Sequence, residues 1–182
     1  MTVDQKKISE LSPLIKEKDE QALKEFFYLM QPEIFRFLFR YTGDRALAED
    51  LVQETFVKFW LSIDNLDVDK LCKAYLYRIA RNLAINNINR RPPFKYIGDE
   101  ENFLSLLNNT QNEVNLTFFM DDFQKAINSL PERCKATFLF SRISGFDYSE
   151  IAEIMNVSLQ TVKNQMNKAL AVLRKRLKNH LD

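Results

Sequence analysis

Between Ile154 and Leu181 the chain carries six Lys or Arg residues and neither Asp nor Glu. Stepped at about 100° per residue, Leu159, Val162, Met166, Ala169, Leu170, Leu173 and Leu177 gather on one side of a helix. Gln160, Asn164, Asn167, Lys168 and Lys175 gather on the other, with Thr161 and Lys163 on the flanks. Asn and Gln amides can pair with both edge groups of adenine in a major groove. Lysines neutralise phosphates, which adds affinity without sequence choice. This outer face is therefore the candidate duplex-contacting surface, and no carboxylate stands where a phosphate would lie.

Local signals supply the elements that must position them. Ser158 is a good N-cap for this helix, because its hydroxyl can accept from a first-turn amide. A shorter helix precedes it. Asp147 is its N-cap, Glu150 completes a capping box, and Ile151, Ala152 and Met155 form its apolar side. Ala152 allows close crossing and Val157 plugs the turn. A short helix, a tight turn and a second helix with a polar-to-basic face place one helix in the major groove. The competing reading is a packed helical hairpin with a merely solvated outer face. The one-sided charge and the length of the acid-free run weigh against it.

A second cationic run extends from Lys73 through Arg91, with five basic residues and no acid. Tyr75 and Tyr77 lie alongside, and Trp60 is near the preceding loop. Cations along a backbone track together with aromatic rings suit single-stranded bases, which stack at about 1–3 kcal/mol each. Taken singly, each tyrosine also reads as an ordinary core aromatic. This run sits on a fourth helix, Lys70 to Arg90, with Cys72, Leu76, Ile79, Ala80 and Leu83 on one side.

Three helices are expected before it. Asp19 to Met30 is the first. Pro32 suits the first turn of the next, which stops at Gly43. Asp44 caps the third, Arg45 to about Ile63, and residues 64–69 form an acidic loop. The core side of the third helix holds Ala48, Val52, Thr55, Phe56, Phe59 and Ile63. Its opposite side carries Asp50, Gln53 and Glu54, but also Leu47, Val57 and Leu61. Either other helices cover both sides, or this face docks on another protein.

The chain has 182 residues, 46% of them hydrophobic, with only 3 Gly and no alternating β-branched runs. That composition predicts an all-α fold. Net charge is +1, but it is segregated: 15 basic and 14 acidic residues over 1–91, 1 and 6 over 92–122, and 10 and 5 over 123–182. Pro92-Pro93 closes the fourth helix. The Asn- and acid-rich stretch after it reads as a linker, which divides the chain into domains at 1–91 and 117–182 with 92–116 between them. No signal peptide or membrane-length apolar run is visible, so the expected location is the cytoplasm. Cys72 and Cys134 read as reduced core residues, and the one histidine is His180 near the C-terminus. No Gly-rich phosphate loop, metal-ligand spacing or catalytic triad is present. The chain is expected to be no enzyme and to need neither metal nor cofactor.

Taken together, Ala48-Glu-Asp-Leu-Val-Gln-Glu-Thr-Phe-Val-Lys-Phe-Trp60, Tyr75-Leu-Tyr-Arg-Ile-Ala-Arg-Asn-Leu-Ala-Ile-Asn86, Arg90-Arg91-Pro92-Pro93, Leu130-Pro-Glu-Arg133 and the helix-turn-helix resemble an extracytoplasmic-function (ECF) sigma factor of bacterial RNA polymerase. The resemblance implies a region-two-like domain whose Asp50, Gln53 and Glu54 meet the polymerase clamp. It implies that the fourth helix opens and reads the −10 element, with Lys73, Tyr75, Arg78, Arg81, Arg90 and Arg91 as its contacts. The helix-turn-helix then corresponds to region four and reads the −35 element, with Gln160, Thr161, Lys163, Asn164 and Lys168 as its implied contacts. Core polymerase and promoter DNA are the implied partners, together with an anti-sigma protein, often membrane-bound in this family. Many relatives place Arg or His where Gln165 stands, and Arg where Lys168 stands, so phosphate contact is expected to be tuned differently here. A stand-alone helix-turn-helix regulator is the alternative, but it gives the acidic third helix no role.

Overall fold

The computed structural model describes residues 3–65, 72–90 and 113–178, which form helices joined by short turns. Four helices form the first bundle: α1 (Val3–Lys16), α2 (Glu20–Thr42), α3 (Arg45–Leu61) and α4 (Cys72–Arg90), with a 3-10 turn at Ile63–Asn65. Four more form the second: α5 (Glu113–Asn128), α6 (Glu132–Arg142), α7 (Tyr148–Met155) and α8 (Leu159–Arg176). No strand occurs among the described residues.

The caps are built as the sequence requires. Asp19 accepts from the amide of Ala22 and Asp44 from that of Leu47. Gly43 ends α2 in the left-handed region at φ 72°, where a residue without a Cβ incurs no strain. Asp147 and Glu150 form the reciprocal capping box of α7, and Ser158 caps α8 through the amide of Thr161.

Three details depart from the sequence reading. First, α1 exists: Ile8, Leu11 and Ile15 recur at helical spacing and are buried against the bundle. Second, Pro32 does not divide two helices, because α2 runs through it. Proline removes one amide donor, but Pro32 lies on the exposed side. The apolar stripe of Phe26, Met30, Ile34, Phe37, Leu38 and Tyr41 continues unbroken beneath it, and burial of that stripe overrides the local break. Third, α5 begins at Glu113, inside the stretch read as linker. The rest of that stretch, and His180, lie outside the described residues.

Aromatic rings bind the first bundle. Phe26 stacks on Phe59 at 5.3 Å between centroids, and Phe27 meets Phe56 edge-on at 4.7 Å. Each buried ring contributes about 1.5–3 kcal/mol, which is large against a net stability of order 5–15 kcal/mol. In the second bundle α8 packs on α6, α7 and α5, burying Val162, Met166, Ala169 and Leu173 against Ile127, Leu139, Ile151 and Ile154. The two bundles also touch: α2 meets α5 and α6, and α4 meets α7. The buried core is continuous through both.

Candidate nucleic-acid and protein interfaces

The polar face of α8 is open. Gln160, Lys163, Asn164 and Lys168 are exposed and Thr161 is half-buried, so the five candidate residues form one continuous strip over the first three turns. The Gln160 amide donates to the Asn164 side-chain oxygen at 3.0 Å, which links two exposed amides one turn apart. Beside them runs an open groove of about 620 Å³ lined by Pro131, Glu132, Arg133, Cys134, Thr161, Asn164, Gln165 and Lys168. Leu159, counted on the apolar side, is instead 41% exposed at the first turn.

Gln165 does not point outward. Its side-chain oxygen lies 2.7 Å from the hydroxyl of Thr137, a fully buried residue of α6. Gln165 thus joins α8 to α6 behind it, and Lys168 is the exposed cation beside it on the groove. Both cysteines are buried and free. Burial pushes both thiols up, and the Lys168 charge opposes the shift at Cys134.

On α3, Asp50, Gln53, Glu54, Val57 and Leu61 are all exposed. Val57 is 58% exposed and Leu61 73%, so among the described residues no helix covers that side. Leu47 departs from the expectation: it is 6% exposed and belongs to the core. The Glu54 carboxylate pairs with Lys58 at 3.0 Å. A groove of about 420 Å³, lined by Phe27, Gln31, Phe35, Arg45, Glu49, Val52 and Gln53, adjoins this face. The face thus sets carboxylates among exposed aliphatics.

Of the α4 candidates, Arg78 is exposed, while Lys73, Tyr75 and Arg81 are half-buried. Arg90 closes the helix, and Arg91 lies outside the described residues. Tyr75 leans on Phe59 at 6.2 Å. The Lys73 ammonium lies over the ring of Phe146, 5.1 Å from its centroid, and Phe146 belongs to the second bundle. The Arg81 charge faces Tyr41.

Sequence reasoning missed the residues that join the bundles. Phe37 stacks on Phe140 at 5.0 Å, and Tyr77 meets Phe146 edge-on at 5.0 Å. Gln124 bonds to Arg40, and Lys135 lies 5.2 Å from the centroid of the Tyr41 ring. The sequence offered one hint, an aromatic at Phe146 set between Gly145 and the capping Asp147.

An exposed recognition helix, a cationic helix with aromatic neighbours and an acidic docking helix define a two-domain, DNA-reading partner of a larger protein machine. Comparison with known proteins fixes its family. The family model for Sigma-70 region 2 matches residues 27–92, and that for Sigma-70 region 4 matches residues 120–173. The chain is 30% identical over 167 residues to the ECF RNA polymerase sigma-E factor of Escherichia coli, covering 85% of this chain and 86% of that one. It is 26% identical over 175 residues to the ECF RNA polymerase sigma factor SigW of Bacillus subtilis, covering 91% and 94%. Among solved structures, CnrH in complex with the cytosolic domain of CnrY shares the fold, with a TM-score of 0.74 at 18% identity over 95% of this chain and 98% of that one. The sigma factor RpoE of Bartonella quintana, solved with the anti-sigma factor NepR, gives 0.68 at 25% identity, covering 85% and 96%. The chain belongs to the ECF sigma factors of the sigma-70 family. It is an initiation factor that binds core RNA polymerase and directs it to promoters, and sigma factors are not enzymes.

Proposed function

We propose that the exposed face of α3, through Asp50, Gln53 and Glu54, is the polymerase-docking surface, with Val57 and Leu61 as its apolar anchors. Carrying this reading is the exposure of two large aliphatics beside carboxylates on a helix otherwise packed into the bundle. Lys73, Tyr75, Arg78, Arg81, Arg90 and Arg91 then face the −10 element. Gln160, Thr161, Lys163, Asn164 and Lys168 face the −35 element. Residues 1–91 act as the first domain and 117–182 as the second, with 92–116 between them. The factor works in the cytoplasm, and among the described residues no helix is long and apolar enough to cross a membrane. Its inhibitory partner is an anti-sigma protein, a reading supported by the NepR complex of the Bartonella relative.

The division of labour is electrostatic. Docking through α3 brings the factor to polymerase, so α8 does not have to hold DNA alone. Its few cations steer and its amides select. A free-standing regulator would leave the α3 face without a role. Transcription with core polymerase over fragmented genomic DNA tests the reading. Discrete start sites that depend on the factor are expected. Absence of stimulated initiation, with folded factor and active core, overturns it.

A further inference from the structure

The helix α1 carries none of the candidate DNA or polymerase contacts, and it precedes the residues that match region 2. It is nevertheless fastened at several points. Ile8, Leu11 and Ile15 are buried, and α1 packs on α2, on the 3-10 turn at Ile63–Asn65 and on α4. The Lys7 ammonium lies 3.2 Å from the Glu25 carboxylate of α2. Just past the end of α1, Lys18 reaches across 46 positions of the chain to Asp64 and lies 2.9 Å from both of its carboxylate oxygens. These two ion pairs join different elements, whereas Lys6–Glu10, Arg45–Glu49 and Glu54–Lys58 each lie within one helix.

Lys18 stands where the backbone favours glycine. Its φ is 62°, its amide bonds to the Ile15 carbonyl at 3.0 Å, and the Asp19 amide bonds to the Leu14 carbonyl at 3.0 Å. A helix end of this kind takes glycine most readily, because a Cβ is strained in the left-handed region. The pair with Asp64 is exposed on both sides and so adds little to stability. Strain that stability does not offset marks a positioning task.

What the pair holds is the path from α3 to α4. Asp64 sits in the 3-10 turn that follows α3, beside fully buried Ile63. At the other end, the Ser12 hydroxyl of α1 shares a hydrogen bond with the thiol of buried Cys72, the first residue of α4. One helix therefore grips both the turn that leaves α3 and the residue that begins α4. Lys73 and Tyr75 follow within one turn of Cys72.

We propose that α1 is the frame of the −10 reader, with Lys18, through Asp64, as a positioning residue that sets where the first turn of α4 presents its contacts. The proposal rests on the assignment of α4 to the −10 element. Lys18 touches no DNA in this role. A preorganised reader loses less freedom when bases enter it, and releasing one end of the path gives that freedom back. The effect falls on −10 opening and discrimination, not on core binding, because neither residue belongs to the α3 docking face.

Holoenzyme rebuilt with full-length variants tests this on a promoter carrying 2-aminopurine in the −10 non-template strand, where rising fluorescence follows base unstacking. Lys18→Gly should slow opening about threefold, the scale of an exposed ion pair. It should also narrow the rate ratio between the preferred and a singly altered −10 sequence. Tm should not fall, since glycine suits this backbone. Lys18→Glu should slow opening at least as much, and Lys18→Glu with Asp64→Lys should restore the unaltered rate. Core affinity should be the same for all three. Unaltered opening with Lys18→Gly and Lys18→Glu overturns the proposal, and so does a loss that the swapped pair fails to restore. Arg78→Ala is measured beside them. If it leaves opening unchanged, the assignment of α4 falls. If it slows opening while the Lys18 variants do not, the frame alone falls.

Discussion

Gln124 grips Arg40 at two points across 84 residues of chain, accepting from the guanidinium at 3.1 Å and donating to the main-chain oxygen at 3.0 Å. The same amide nitrogen also reaches Asn128 at 3.2 Å, and Asn128 in turn accepts from Lys135 at 2.8 Å. One buried amide thus anchors α5 to α2 and starts a polar chain that runs to α6.

Gln124→Ala should destabilise the protein by about 1–3 kcal/mol, the cost of leaving buried groups with fewer partners. For a chain of this size each kcal/mol lowers Tm by roughly 2–4 °C. Thermal unfolding followed by circular dichroism measures the shift. An unchanged Tm would mean that the amide does not join the two bundles.

Asp50→Lys with Glu54→Lys should weaken core polymerase binding about tenfold or more, that is by at least ~1.4 kcal/mol. Helix content should not change, because both residues are exposed and such substitutions usually stay within about 0.5 kcal/mol of stability. Val57→Ser and Leu61→Ser test the apolar half of the same face. Titration of labelled factor with core enzyme reads all four changes, and undiminished affinity removes α3 from the interface.

Much of this was legible in local sequence. The caps at Asp44, Asp147 and Ser158, the buried stripe of α8 and its exposed polar strip follow from a 3.6-residue period and from side chains that bond within three or four positions. Whether other helices cover the second side of α3 was a choice that only the packing could decide, and exposed Val57 and Leu61 show that among the described residues none does. Leu47 was misplaced because it lies at the boundary between the two faces. Pro32 misled because a local break signal was outweighed by Ile34 and Phe37 continuing one buried stripe. The seam between the two bundles was invisible because Phe37 with Phe140, or Tyr77 with Phe146, are partners far apart in the chain. Tyr77, taken singly, read as a core aromatic, and nothing local said whose core it would join.

Asn164→Ala and Lys163→Ala should separate selectivity from affinity. Loss of the Asn164 amide should cost about 1–3 kcal/mol on the preferred −35 sequence and relax choice at one base position. Loss of the Lys163 charge should weaken binding across all sequences and reduce the salt slope by about 1. Initiation by holoenzyme on matched and −35-scrambled templates, at several salt concentrations, distinguishes the two. An equal loss on both templates for Asn164→Ala would remove it from base reading.

Stability should depend on pH through Lys135. This lysine is 7% exposed, hydrogen-bonded to Asn128 and placed over the Tyr41 ring, and burial lowers its pKa to about 8. An unfolded lysine titrates near ~10.4. Below about pH 8 the charge is present in both states, and the folded state carries the full burial cost. Between about 8 and 10.4 the unfolded chain binds more protons, so this group makes stability rise with pH. The buried thiols of Cys72 and Cys134 and the buried Tyr41 and Tyr77 hydroxyls are shifted upward by burial. Their folded forms retain protons that the unfolded chain loses, so they oppose the trend at its alkaline end. Comparison with Lys135→Met cancels them. The variant should be more stable than the unaltered protein at pH 7, and the gap should narrow by pH 9.5 as Lys135 sheds its charge. Urea unfolding at the two pH values measures it, and a gap that is constant or widens would show that Lys135 is not buried as a charge between α6 and α2.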